Sequence, residues 1–109
     1  MNTITKEFIE SLGWVKTSDW ANRDIYSIGG FHVVEHNHDW YICRSDDMYY
    51  IENPDRDMMK EFTTIVRNIH NCKTDAANHT LMEYDRMMGM LWDFYDKYGY
   101  DGSREFGVN

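Results

Sequence analysis

The chain has 109 residues, of which 42% are hydrophobic and 28% are charged, and this is the composition of one globular domain. It carries 11 Lys and Arg against 19 Asp and Glu, so its formal net charge of −8 argues against binding nucleic acid or an anionic membrane through a basic patch. No apolar run approaches the roughly 18 residues of a membrane span, and the N-terminus lacks the layout of a signal peptide. Cys43 and Cys72 form no C-x-x-C pair, so we expect reduced thiols and a cytoplasmic protein.

The first 13 residues are predicted to form a helix. Thr5 is placed to cap it, Phe8 and Leu12 belong to its apolar stripe, and Gly13 ends it. The following stretch, 14–20, fits either a short strand or an ordered loop.

From residue 24 the apolar pattern changes to a period of two, which predicts an antiparallel meander of three or four strands. Gly29 and Gly30 provide the tight turn of its first hairpin. The predicted strands are 24–28, 31–36, 40–44 and 48–52, and the predicted turns are 29–30, 37–39 and 45–47.

Two helices are predicted after the meander. Asn53 as N-cap and Pro54 at the first helical position begin a helix that ends near Asn71, and a third helix runs from about Asp75 to Tyr98. The glycine-containing residues 99–109 are predicted to be a loose tail. The chain is therefore predicted to be a single α+β domain over 1–98, with an N-terminal helix, the meander, and two C-terminal helices packed on one face of the sheet.

Histidines near the end of the third strand suggest a metal site. Because residues two apart on a strand share a face, His36 and His38 could chelate a divalent ion, with Asp39 or a distant histidine completing the site. A metal-dependent hydrolase that uses His32, His36 and His38 is therefore one alternative function. The competing interpretation is a polar strand end with exposed imidazoles, since His38 falls in a predicted turn. We predict no metal and no cofactor.

Other signatures of catalysis are missing from the sequence. It contains no G-x-S-x-G elbow and no Gly-rich phosphate loop, and Cys43 on a strand suits a small packed residue better than a nucleophile. The adjacent acids Asp46 and Asp47 suit a hairpin turn better than a desolvated acid–base pair. We expect a protein that is not an enzyme.

Acidic residues concentrate in the segment 35–57, where seven acids stand against two bases. A solvated surface explains such a segment, but an array of carboxylates also suits a basic cleft that normally holds nucleic acid. Tyrosine beside charge is typical of an interface hot spot. The residues predicted to bind a partner are Glu35, Asp39, Asp46, Asp47, Tyr49, Glu52, Asp55 and Asp57.

In its layout the chain resembles the small acidic accessory proteins of tailed bacteriophages: a short helix ending in Leu12-Gly13-Trp14, a strand meander, and then helices. The resemblance covers most of the chain and rests on layout, size and acidity, so it assigns no residues. It implies a protein that acts on a host machine in an infected bacterium, in the manner of acidic inhibitors of restriction or CRISPR systems.

Three hypotheses follow from the sequence. The first is a non-enzymatic acidic protein that binds and blocks a host protein with a basic nucleic-acid-binding cleft, acting as a mimic of nucleic acid. The second is a binder or sponge for a nucleotide-like signal, although a chain of charge −8 holds phosphates poorly unless Arg44, Arg67 or Arg86 converge on one pocket. The third is the metal-dependent hydrolase.

Overall fold

A computed structural model of the chain describes residues 4–20, 22–44, 47–75 and 80–98, without the side chains of residues 20, 44 and 47–50. The five strands form one antiparallel sheet in the order β1-β2-β3-β4-β5, so the predicted α+β class is confirmed. The elements are α1 (Lys6–Ser11), β1 (Val15–Trp20), β2 (Arg23–Ile28), β3 (Phe31–His36), β4 (Asp39–Arg44), β5 (Asp47–Glu52), α2 (Arg56–Thr74) and α3 (Leu81–Tyr98).

The sheet has one strand more than the upper limit of the predicted meander. The additional strand is β1, which pairs antiparallel with β2. A bulge between Lys16 and Ser18 shifts its register, and an extra residue moves the following side chains to the opposite face. The period-two pattern therefore fails across β1, which explains why the sequence does not distinguish a strand from a loop there.

Helix α1 is shorter than predicted, but its two ends are as expected. The hydroxyl of Thr5 accepts a hydrogen bond from the Phe8 N–H at 3.1 Å, and Gly13 adopts a φ of 103° just after the helix. A side chain at Gly13 would overlap the guanidinium of Arg67, which donates to the Leu12 carbonyl at 2.8 Å. This contact ties the end of α1 to α2.

Tight turns set the register in the middle of the sheet. Gly29, with a φ of 57°, closes the β2–β3 hairpin as predicted. Asn37 and His38 have φ values of 54° and 70° and close the β3–β4 hairpin, and two left-handed residues are the signature of a type I′ turn. The predicted three-residue turn is thus one residue too long: Asp39 begins β4 and pairs with His36.

The start of α2 differs from the prediction. Asp55, and not Asn53, is the N-cap, because its carboxylate accepts the Met58 N–H at 2.8 Å. Asn53 closes the end of the sheet instead: its side-chain carbonyl accepts the Trp40 N–H at 2.9 Å, and its own N–H donates to the Trp40 carbonyl at 2.6 Å.

The break between α2 and α3 also lies later than predicted. Helix α2 continues to Thr74, and α3 begins at Leu81 instead of near residue 75. Thr80 and Glu83 form a capping box, in which each backbone N–H donates to the other residue's side chain, at 2.9 and 3.1 Å. The predicted tail, 99–109, lies outside the described residues.

The hydrophobic core lies between one face of the sheet and the helices. Phe62 of α2 is fully buried, with its ring centroid 5.8 Å from that of Trp14 and 5.3 Å from that of Phe94. Helix α3 packs mainly on α2, and it reaches β4 where the Tyr95 hydroxyl donates to the Cys43 carbonyl at 3.3 Å. The prediction that both C-terminal helices pack on one sheet face is therefore right for α2 and right only in part for α3.

Candidate functional site

The acidic segment predicted to bind a partner is divided by the topology of the sheet. Strand β4 leads away from Asp39 and β5 returns beside it to Glu52, so the β4–β5 connection lies at the opposite end of the sheet from these two acids. A six-residue strand separates the two ends by roughly 17 Å. Asp46 lies outside the described residues, and Asp47 and Tyr49 lie in β5, where their side chains are not described.

The other predicted acids lie at the end of the sheet that contains Asp39 and Glu52, and Asp24 lies there with them. Asp24 of β2 is the cross-strand partner of Glu35, Asp39 is the partner of His36, and Asp55 caps α2 beside them. We refer to Asp24, Glu35, Asp39 and Asp55 as the acidic end. Two further predicted residues adjoin it: Glu52 is the last residue of β5, and Asp57 lies in the first turn of α2.

Two cavities open at the acidic end, and His38 lines both of them. The smaller has a volume of about 240 Å³ and is lined by Asn22, Asp24, Glu35, Asn37 and His38. The larger has a volume of about 400 Å³ and is lined by Ile4, His38, Asp39, Trp40, Asn53, Pro54 and Asp55. Each cavity contains two carboxylates and at least one amide, and neither lining includes a Lys or Arg, so their chemistry favours a cationic ligand over a phosphate.

The four carboxylates differ in how they are held. Asp24 lies 3.4 Å from the Lys16 ammonium, and Asp39 accepts a hydrogen bond from the Asn53 amide at 3.1 Å. Asp55 is engaged in capping α2. Glu35 is half-buried, yet it has neither a hydrogen bond nor an ion pair in the described part of the chain.

Tyr26 lies next to these acids, on the same face of β2 as Asp24. Its side chain is 0% exposed, and its hydroxyl has no hydrogen-bond partner among the described residues. Burial, followed by the charge of Asp24 and smaller effects of three glutamates, raises the pKa of Tyr26 to about 12. The hydroxyl therefore lies within electrostatic range of the acidic end.

We expect Tyr26→Phe to leave the free energy of unfolding at neutral pH unchanged or to raise it by up to about 1 kcal/mol, because the change removes a buried hydroxyl that has no partner. The folded-state pKa of about 12 exceeds the ordinary value of 10.0, so the folded protein holds this proton more tightly. The resulting stabilisation is complete below pH 10.0 and is lost towards pH 12.

The measurement is urea unfolding of both proteins at neutral pH and at about pH 11, inside the window set by this pKa. The wild type should lose more stability over this interval than Tyr26→Phe does. Equal losses would mean that the hydroxyl is not sequestered in the folded protein.

Glu35 faces Asp24 directly across β2 and β3, and like charges in this position destabilise a sheet. Glu35→Gln keeps the shape of the side chain and breaks no described hydrogen bond, so we expect it to raise the free energy of unfolding by about 0.2–1 kcal/mol. Urea unfolding checks this, with Glu52→Gln, opposite Tyr41, as the control. A loss of stability in Glu35→Gln alone would contradict the repulsion.

The histidines do not form a metal site in the described part of the chain. His36 ends β3 with its Nε2 3.4 Å from the amide nitrogen of Asn37, and the Nδ1 of His32 lies 2.7 Å from the Ser27 hydroxyl. His38 occupies the left-handed turn, where the strand alternation used in the prediction no longer holds. No three His, Cys, Asp or Glu side chains come together in a metal-binding arrangement among these residues.

Both cysteines are free thiols. Cys43 is half-buried and Cys72 is buried. Burial raises the pKa of the Cys43 thiol to about 11, so it stays protonated near neutral pH and is a poor nucleophile. These environments fit packed side chains, as predicted for Cys43.

No protein-family model, curated protein or solved structure matches the chain. None of the described helices is long and apolar enough to cross a membrane. Asp24 of the acidic end and the neighbouring Tyr26 are not singled out in the sequence analysis, although the position of Asp24 opposite Glu35 follows from the register of a two-residue hairpin.

Proposed function

We propose that the protein binds, through its acidic end, the basic surface on which another protein holds nucleic acid, and thereby blocks that surface. The observation that carries the proposal is that Asp24 and Glu35 line one cavity, and Asp39 and Asp55 line a second, at one end of the sheet. Charged-group complementarity of this kind steers association and selects the partner. The protein acts by occupancy, without catalysis.

The segment between β5 and α2, which lies beside Asp39, is short and held by hydrogen bonds, and this favours a surface that is already ordered before a partner binds. Asn53 is bonded to Trp40 through both its side chain and its backbone, and it also donates to Asp39. The carboxylate of Asp39 is thereby oriented before a partner arrives, so that less conformational entropy is lost on binding.

A basic protein suits this surface better than nucleic acid does. Carboxylates repel phosphates, whereas the Lys and Arg side chains that contact phosphates in a nucleic-acid site accept carboxylates. The resemblance of the layout to that of phage accessory proteins suggests the class of partner, which is a bacterial defence protein that handles DNA or RNA, such as a restriction or CRISPR component.

The test is capture of a partner from nuclease-treated bacterial lysate by the immobilised full chain, followed by identification and purification of the captured protein. Nuclease treatment removes proteins that are tethered only through nucleic acid. We expect a protein that binds DNA or RNA and that is released as the salt concentration rises. A partner without a nucleic-acid function, or one whose binding is indifferent to salt, would contradict the proposal.

A further inference from the structure

The outer side of α3 is covered by no other element in the described part of the chain. Met82 is 72% exposed and Met90 is 44% exposed, and Arg86, Gly89 and Asp93 are exposed on the same side of the helix. We refer to these five residues as the outer face of α3. We propose that it is the interface of a homodimer, in which the α3 helices of two copies of the chain pack antiparallel. None of its residues belongs to the acidic end, so the inference goes beyond the proposed function.

The spacing of the outer face is that of a seam between two helices. Residues 82, 86, 89 and 93 follow one another at four, three and four positions, which places them in one stripe along α3. The opposite side of the helix is buried in the core through Leu91, Phe94 and Tyr95. Helix α3 therefore has two packing stripes, of which only the buried one has a partner in the described part of the chain.

Gly89 lies in the middle of α3, where glycine destabilises a helix relative to alanine. A Cβ atom at this position would meet no atom within 4 Å among the described residues, so no contact within that part of the chain requires glycine. A second helix that crosses α3 at this point does require it, because the missing side chain lets the two backbones approach closely.

The charges of the outer face complement those of a second copy. Arg86 lies five residues after the start of α3, and Asp93 lies five residues before its end. When two α3 helices overlap antiparallel along their full length, Arg86 of each copy therefore lies level with Asp93 of the other, and twofold symmetry repeats the pair. Neither side chain has a hydrogen bond or an ion pair among the described residues.

The same overlap places the twofold axis between Gly89 and Met90, so each of these residues meets its own copy. Two glycines allow the close approach of the helices, and two flexible methionine side chains fill the space beside them. A face with one acid and one base suits a second copy better than it suits nucleic acid or a strongly charged protein.

The expected dimer is weak. Helix α3 has 18 residues and is about 27 Å long, so the contact is smaller than the roughly 800 Å² per partner of a standard interface. Two chains that each carry a formal charge of −8 also repel one another. We therefore expect a dissociation constant on the order of 100 µM at physiological ionic strength, where repulsion beyond about 8 Å is screened.

The experiment is sedimentation equilibrium of the full chain from about one tenth of that concentration to about ten times it. We expect the average mass to rise with concentration from that of one chain towards that of two. A mass that stays at that of one chain over the whole range would overturn the proposal.

A charge exchange tests the antiparallel pairing. Arg86→Glu and Asp93→Arg should each weaken the dimer at least about tenfold, because each places like charges level with one another. The combined variant Arg86→Glu/Asp93→Arg should return to within about threefold of wild type, because it forms the same pair in reverse. Lys60→Glu on the exposed side of α2 is the control for a change of charge alone, and it should leave the dissociation constant within about twofold. A combined variant as weak as the two single variants would refute this pairing.

Gly89→Gln separates dimerisation from folding. Glutamine is a better helix former than glycine and has open space at this position, so the monomer should unfold at a higher urea concentration. The same side chain holds the two helices apart, and the dimer should be at least about tenfold weaker. Unchanged dimerisation in this variant would contradict a close contact at Gly89. These measurements need no other protein, so their outcome is independent of that of the proposed function.

Discussion

Replacing Phe62 with alanine is expected to lower the free energy of unfolding by about 3–5 kcal/mol. Phe62 is 0% exposed, and its ring contacts those of Trp14, Phe94 and Tyr95, so truncation would remove the side chain that joins α2 to α3 and to the residue that precedes β1. A domain of this size has only about 5–15 kcal/mol of stability, and the loss would therefore be a large fraction of the total.

Urea unfolding followed by tryptophan fluorescence measures this effect. Met82→Ala on the exposed side of α3 is the control, since Met82 is 72% exposed and should cost less than about 0.5 kcal/mol. A loss below about 1 kcal/mol for Phe62→Ala would mean that the aromatic cluster is not the centre of the core.

Reversing the charge of Glu35 should slow association with the captured partner by about ten- to a hundredfold and flatten its dependence on salt, because charges at an interface chiefly set the association rate. Glu35→Lys should fold, since the new ammonium faces Asp24 across the strands and replaces repulsion by attraction. Stopped-flow or surface-based kinetics at several ionic strengths provide the measurement.

Two matched reversals locate the binding surface. Asp93→Lys on the exposed side of α3 alters the net charge by the same amount away from the acidic end, and it should change the rate much less. Asp47→Lys tests the far end of the β4–β5 hairpin, and we expect it to have a smaller effect than Glu35→Lys. If all three reversals slow association equally, the whole charge of the protein and not the acidic end would control binding.

The fold follows from the sequence where local chemistry decides the structure. Gly29-Gly30 fixes a two-residue turn, and the same register places Asp24 opposite Glu35, so this part of the site was within reach of sequence reasoning. The sequence does not show which acids of the segment 35–57 lie together, because this depends on the number and direction of the strands. Strand β1 escapes the period-two pattern because of its bulge.

Other features depend on contacts that are distant in sequence. Asn53 and Asp55 are both good N-cap residues, and the choice between them is made by Trp40, which bonds Asn53 into the end of the sheet. The burial of the Tyr26 hydroxyl without a hydrogen-bond partner likewise depends on residues that are distant in sequence. Neither feature leaves a local pattern in the sequence.

The most direct test of the proposed function is displacement of nucleic acid from the captured partner. Labelled duplex DNA or RNA is first bound to the partner, and the protein is then added while fluorescence anisotropy reports the bound nucleic acid. We expect complete displacement by the wild-type protein, and we expect Glu35→Lys to require at least about a tenfold higher concentration. Nucleic acid that stays bound in a ternary complex at saturating protein would contradict the proposed function.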